Sequence, residues 1–324
     1  MVVGMALDVE GRPICCEMWP GNTADVTTLV PVVKRMRQRF RLREITVVAD
    51  RGMVSQATLN AFESSDPPVR YIVGVRMRRQ KEISLSVLGS RARWFESVPE
   101  RSKAKDPAPL KIKEVRVEDR RYVVCLNEEE RRKDAQDRQA IVAHLREQLR
   151  SGDKSLVGNK GYRRYLKVEG SGHFAIDEEQ LKAEQRYDGI WVLRTNTDYD
   201  AETVAHVYKA LWTVEDIIRT TKSILETRPI YHKRDETIRG HAFCSFLALL
   251  LKVEMEQRRR FADLECEWAQ VLRGLEAFQQ VEATFQDKRF LLRSQLSAET
   301  SAALRAAGVA APQPCASCRK RPNW

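Results

Sequence analysis

No apolar run in the sequence is longer than the ten residues Ala242 to Leu251. That is too few to cross a bilayer, so the run predicts a buried helix and no membrane partner. The apolar start meets Asp8 within seven residues and has no basic lead, so no secretory leader is expected. Cysteine is scarce and scattered, with seven residues, an odd number. Cys15 and Cys16 are adjacent in a strand-like run, while Cys125, Cys244 and Cys266 are isolated in apolar or helical settings. Cys315-Ala-Ser-Cys318 is a lone pair in a Pro-rich tail, and a structural zinc site needs four ligands. Reduced thiols and a cytoplasmic location are therefore expected. Acid is also short, with 45 Asp and Glu against 56 Lys and Arg, a net charge of +11 and a pI of about 9.4. That balance favours a polyanionic partner, nucleic acid first and a membrane surface second. The 324 residues suffice for one large or two modest domains with a full core.

Val2–Leu7 and Ile14–Trp19, joined through Gly11 and Pro13, predict a hairpin. A helix with Thr27 or Thr28 as cap follows, through Leu29, Val33, Met36 and Phe40, with Pro31 tolerated in its first turn. Ile45-Thr-Val-Val-Ala-Asp50-Arg51-Gly52 is a strand of uninterrupted strand formers that predicts burial on both faces. Such a strand belongs centrally in an open α/β sheet, and an acid at its carboxyl end is a common ligand or metal position. The same Asp50 also suits a turn or helix cap, and the residues leave both readings open. Arg70–Arg76 is a further strand, followed at once by Arg78, Arg79 and Lys81. From about 81 to 190 short alternating runs predict a mostly β inserted subdomain, crossed by a charged helix over Asp134–Arg150. Beyond residue 255 the chain is expected to be helical, with a disordered basic tail from Ala307.

One stretch organises the chemistry. Read as a helix capped by Asp200 and ended by Pro229, it places Tyr208, Glu215 and Lys222 seven apart, close to one line. Arg219 joins that face, and Val207, Leu211, Val214, Ile218 and Leu225 form the predicted core stripe. Asp50 and Glu215 are paired carboxylates of the type that holds hard divalent cations, and Mg2+ accepts one or two such ligands plus water and phosphate oxygens. Two ions about 3.5–4 Å apart would stabilise the attacking and leaving oxygens of phosphodiester cleavage. The plainer alternative is an ordinary helix pair of Glu215 with Arg219.

Tyr208-x6-Glu215-x6-Lys222 resembles the signature Tyr-x2-Arg-x3-Glu-x6-Lys of DDE-class insertion-sequence transposases, in the family named after insertion sequence four. Val-Val-Ala-Asp50-Arg-Gly-Met resembles the strand bearing that family's second Asp, and Trp19-Pro-Gly-Asn22-Thr23 and Thr227-Arg-Pro-Ile-Tyr-His232 resemble one branch of it. The signature's Arg position holds Leu211. The resemblance spans roughly residues 1 to 255 and implies an RNase H-like α/β fold. Its mixed sheet would be flanked by helices: a first core part at 1–80, the insertion at 81–190, a second core part at 191–255 and a helical region at 256–324. It implies Asp50 and Glu215 as catalytic metal ligands, Mg2+ with Mn2+ able to substitute, and DNA contacts from Tyr208, Arg219, Lys222, Asn22 and Arg51. Partners implied are transposon-end and target DNA, and a second copy in a synaptic homodimer. The family's first acid lies on the first strand of its fold, whereas this chain reads as starting at the second strand, with Asp8 in a turn. A truncated and catalytically inactive copy is therefore expected. The rivals are a non-catalytic or dominant-negative DNA-binding partner of a full-length transposase, and an RNase H-like nuclease.

Overall fold

The computed structural model describes residues 2–100, 107–151, 163–169, 173–223, 230–262, 268–286, 288–311, 313 and 315–317. The chain forms two compact units, Asn22–Trp212 and Met1–Gly21 with Thr213–Trp324. The strands β1 (Val2–Leu7) and β2 (Pro13–Trp19) open the second of these. The first unit runs α1 (Leu29–Phe40), β3 (Thr46–Ala49), α2 (Gln56–Glu63), β4 (Arg70–Gly74), β5 (Phe95–Val98), β6 (Leu110–Val117) and β7 (Arg120–Leu126). It continues with α3 (Glu128–Ser151), β8 (Leu166–Glu169), β9 (His173–Ile176), α4 (Glu178–Glu184), β10 (Ile190–Thr195) and α5 (Ala201–Lys209).

Six of these strands form one mixed sheet in the order β3-β4-β10-β7-β6-β5. Only β3 and β4 are parallel, joined through α2, and the other neighbours are antiparallel. This is the helix-flanked mixed sheet expected of an RNase H-like fold. The residue pattern explains the layers. Val47 and Ala49 point to one face, against Val33 of α1 and Leu59 and Phe62 of α2. Val48 points to the other, against the α5 residues Val204 and Ala205 packed on Ile72 and Leu193. Both faces of β3 are thus covered as its apolar run predicts. Its place differs from the expected central one: among the described residues β3 is an edge strand, bonded to β4 alone.

The stretch 81–190 does not stand apart, because β5, β6 and β7 continue the same sheet and β7 pairs with β10 over six residues. An alternating strand with one apolar face needs a covered neighbour, and the sheet supplies it. The charged helix α3 is anchored at its middle, where Arg138 donates to both carboxylate oxygens of Asp188 at 2.5 and 2.6 Å. A small cluster of Val142, Leu145, Tyr165 and Leu181 packs α3 against its own satellite elements.

In the second unit, β1 and β2 form the predicted hairpin. Asp8 closes its turn, accepting from the backbone N–H groups of Glu10 and Arg12 at 2.9 and 2.8 Å. The unit continues with α6 (Trp212–Ser223, whose first residue falls in the first unit), α7 (Asp235–Phe261), α8 (Trp268–Ala277), β11 (Gln280–Phe285), β12 (Lys288–Arg293), α9 (Ala298–Ala307) and β13 (Cys315–Ser317).

Three expectations are corrected here. The stretch expected as one helix is two, α5 and α6, separated at Ala210 and Leu211. The Ala210 amide still makes an α-helical bond to the His206 carbonyl at 3.1 Å, but the Leu211 amide turns back to the Tyr208 carbonyl at 3.0 Å, an i→i+3 bond at which α5 stops. The phase therefore resets, and Ile217 rather than Ile218 is buried. Second, the region beyond 255 is not all helical: Gln280–Phe285 and Lys288–Arg293 pair as a hairpin. Val281, Ala283 and Phe285 alternate with polar residues at period two, a strand pattern. Third, the expected disordered tail contains Cys315–Ser317 paired with β12. Cys318 and the Pro229 stop lie outside the described residues. The Ala242–Leu251 run is helical as predicted but buried on one side only: Leu249 is enclosed with Ile217 and Val253, while Phe243, Leu247 and Leu251 are exposed. Among the described residues no helix is long and apolar enough to cross a membrane.

Candidate active site

The carboxyl end of β3 is a strand–turn–helix junction. Ala49 is the last paired residue, and Asp50, Arg51 and Gly52 turn the chain, with the Met53 amide bonded to the Asp50 carbonyl at 3.0 Å. Ser55 then starts α2 with a reciprocal cap, its hydroxyl accepting from the Thr58 amide while the Thr58 hydroxyl accepts from the Ser55 amide. Both ends of the turn are fixed, and Asp50 and Arg51 stand exposed between them.

A second element reaches Asp50 from α5. Asp200 caps that helix, accepting from the amide and hydroxyl of Thr203 at 2.7 and 2.9 Å, and those bonds hold its carboxyl below the usual range. Ala201, Val204 and Ala205 bury one face of α5 on the sheet. Tyr208, four residues after Val204, follows on that face, and its hydroxyl donates to Asp50 Oδ1 at 3.1 Å. Burial, then the Asp50 charge and the hydrogen bond to it, push the Tyr208 hydroxyl well above its ordinary value. It therefore stays protonated and serves as a donor, and Asp50 Oδ2 has no partner among the described residues.

Gly74 makes this contact possible. A Cβ there would run into the Tyr208 hydroxyl and would lie 3.2 Å from the Arg51 backbone nitrogen. It is the last residue of β4, the strand paired with β3, so the absence of a side chain opens the passage from α5 to Asp50.

Beside this junction lies a groove of about 610 Å³ whose wall includes Arg51, Gly52, Gly74, Arg76, Arg79 and Arg194. Among the described residues Asp25 is the one acid lining it. The arginine run after β4 divides into two kinds. Arg78 donates to Glu184 at 2.8 Å and lies over the Tyr187 ring, so it braces the fold. Arg76 and Arg79 are exposed, line the groove, and have no carboxylate partner among the described residues. Arg194, on β10, is 9% exposed; it donates to Glu63 at 3.0 Å, and its Nε has no acceptor among the described residues.

Of the residues named from sequence, the first unit thus brings together Asp50, Arg51 and Tyr208. Asn22 is exposed in the turn before α1. Glu215 and Arg219 belong to α6 of the second unit and are exposed. Glu215 sits in that helix's first turn, where its negative charge also suits the helix dipole. The side chain of Lys222 lies outside the described residues. Among the described residues, no three His, Cys, Asp or Glu side chains gather as a metal-holding group. Asp8 is occupied by its turn, in keeping with its reading as a turn acid. Sequence reasoning missed Gly74, Arg76, Arg79 and Arg194. The signal for the arginines was present in the basic run after β4, but which of them faces a groove depends on a short 3-10 turn at Met77–Arg79.

The donor set fits a hard divalent cation in part. Asp50 offers a carboxylate oxygen that has no partner among the described residues, and magnesium takes as few as one protein carboxylate when water and phosphate complete its shell. No curated protein matches the chain. The model of the transposase DDE domain family matches residues 2–251, more than three-quarters of the chain. The exposed acid ending a strand of a helix-flanked mixed sheet accords with that match, and the chain belongs to the DDE transposase family.

Proposed function

We propose that this protein cleaves and joins DNA strands in the movement of an insertion sequence, with Asp50 and Glu215 as its acidic metal ligands. The observation that carries the reading is the Asp50 carboxylate, exposed at the end of β3, oriented by the Tyr208 hydroxyl and flanked by a basic groove. The family acts on DNA and generally uses divalent metal ions; the choice of Mg2+, with Mn2+ as substitute, follows the oxygen-only donor set. Such an ion, when bound, supplies charge stabilisation to the attacking and leaving oxygens.

This chain's own residues do the rest. Tyr208 holds one oxygen of Asp50 and leaves the other for the ion. Arg51 follows Asp50 directly and meets the phosphate next to the reacting one. Arg219 and Lys222 of α6 contact DNA backbone, and Asn22 contacts it from the turn before α1. Work as a pair of identical chains at two transposon ends belongs to the same proposal.

Strand-transfer assays on a plasmid with labelled transposon ends, in Mg2+ and in Mn2+, test it. End cleavage and joining that disappear in Asp50→Ala would establish the activity, whereas a wild-type chain that cuts no ends would match the inactive copy expected from a two-acid site. A second reading is a DNA-binding partner without catalysis, favoured by a basic groove that needs no metal to hold phosphate. Salt-sensitive DNA binding that survives both Asp50→Ala and Glu215→Ala, with no cleavage in the wild-type chain, would establish that reading instead.

A further inference from the structure

The groove beside Asp50 has a built character that a general basic surface lacks. Arg76 and Arg79 project from the 3-10 turn after β4, and neither is neutralised by a described carboxylate. They form a ridge, because Arg51, Arg76 and Arg79 also border a second recess of about 470 Å³. Under the ridge, Arg194 is buried with only part of its donor capacity used, by Glu63 at 3.0 Å and Gln56 at 3.5 Å. The floor between the cations is apolar, made by Val54, Leu59 and Val73. The groove is continuous with the active-site junction, since Gly74 and Arg51 belong to both.

Size and lining decide what fits. A volume of about 610 Å³ is that of a small-ligand pocket, far too small for a double helix to enter. Cations at the rim suit phosphates, while an apolar floor is of no use to the outside of a duplex and suits the sugars and bases of an unpaired strand. Among the described residues Asp25 is the one acid of the lining, and it does not cancel the three exposed arginines Arg51, Arg76 and Arg79; Arg194 is already paired with Glu63. We propose that the groove is a strand-entry site, which takes the sugar–phosphate backbone of one unpaired DNA strand leading to Asp50, with Arg76 and Arg79 as its phosphate contacts. This rests on the DNA strand-transfer reading above and adds the path and the single-stranded form of the substrate.

The test measures fluorescence anisotropy of the full chain with a labelled single-stranded oligonucleotide and with its duplex, across a salt series. The variants are Arg76→Ala/Arg79→Ala and a charge-matched control, Arg132→Ala/Arg146→Ala. The control arginines lie on α3, exposed and paired with Glu100 and Glu178. Each phosphate contact contributes about 0.7 to the logarithmic salt slope for a single strand. The groove variant should therefore lose about 1.4 from its single-strand slope and about tenfold in affinity at 0.15 M salt. The control should keep its slope, and the groove variant should bind duplex as the wild type does. Equal loss on duplex and single strand overturns the strand-entry claim, as does an unchanged slope or an equal fall in the control. Both groove arginines are exposed and unpaired among the described residues, so an unaltered melting temperature is expected and separates lost contacts from lost fold. A wild-type chain that binds no DNA at all would sink the DNA reading itself, whereas wild-type binding with an indifferent groove variant sinks the groove alone.

Discussion

Asp50 and Glu215 are both exposed acids, yet their surroundings are built to different standards. Asp50 ends a strand whose two faces are covered by separate apolar clusters, and a tyrosine from a third element grips its carboxylate. Glu215 stands in the first turn of α6, which is anchored through Ile217 in a cluster whose buried members are Ile217, Leu249 and Val253. A carboxylate in a strained or tightly gripped setting has its direction chosen for it. One on a helix surface keeps its rotamer freedom until something binds it. On the proposed assignment, Asp50 would be prepared before DNA arrives and Glu215 would be ordered by substrate and ion.

The most severe way to break that comparison is to remove each acid. A metal ion's stabilisation of developing charge is worth several kcal/mol. Asp50→Ala should therefore reduce strand transfer about 10³-fold or more, at 1.36 kcal/mol per tenfold. Glu215→Ala should match it if both acids serve one site. Retention of transfer in Glu215→Ala would make that residue an ordinary dipole-paired surface acid and end the comparison.

The packing side of the contrast has its own test. Ile72 is fully enclosed in the first unit's core, whereas Ile217 belongs to the small α6–α7 cluster. Truncating a buried Ile to Ala costs about 2–5 kcal/mol, more where the surroundings cannot collapse. Ile72→Ala should fall near the top of that range and Ile217→Ala near the bottom, read from urea unfolding. Equal losses would show that the second unit's core is as rigid as the first.

A smaller effect probes the grip itself. Gly74→Ala should push the Tyr208 hydroxyl off Asp50 and press on the Arg51 backbone, whereas Tyr208→Phe removes the hydroxyl alone. Groups that orient a metal ligand from behind typically affect activity about 10–100-fold. Strand cleavage should fall by about that factor in Gly74→Ala and in Tyr208→Phe, with DNA affinity nearly unchanged. If affinity falls and the cleavage rate holds, Tyr208 is a DNA contact rather than a positioning residue.

Much of this arrangement was legible in the sequence because it follows from local rules. The uninterrupted Val47, Val48 and Ala49 marked a strand with two covered faces, and the Asp50-Arg51-Gly52 sequel marked its turn. Asp200 announced the start of α5 by its capping chemistry. What the sequence concealed depends on register and on long-range neighbours. The break at Ala210 has no Gly or Pro to signal it, so Tyr208 and Glu215 read as one helix face although they lie on two helices. The edge position of β3 depends on pairings of β10 with β4 and β7, from distant parts of the chain. The passage at Gly74 is visible only once Tyr208 is seen to cross it.

The subtlest test follows the bracing that carries Tyr208 to Asp50. The segment leading into α5 is held by Arg121, which donates to the carbonyls of Thr197 and Tyr199 at 2.9 and 2.6 Å. Glu114 on the neighbouring strand fixes that arginine at 2.7 Å. The hydrogen bond from Arg121 holds the Glu114 carboxyl below its usual range. A carboxyl with a depressed folded value adds stability above its unfolded value, about 4.3, and loses it as pH falls through the lower folded value. Because Glu114 is partly open to solvent, screening limits the effect to about 0.2–1 kcal/mol. Glu114→Gln should melt slightly below the wild type at pH 7, and the gap should narrow as pH falls below the unfolded value of about 4.3. Cleavage should weaken with it, since the brace sits upstream of Tyr208. A gap that stays constant down the whole acid limb would mean that Glu114 acts through packing instead of charge, and the prepared state of Asp50 would then owe nothing to this ion pair.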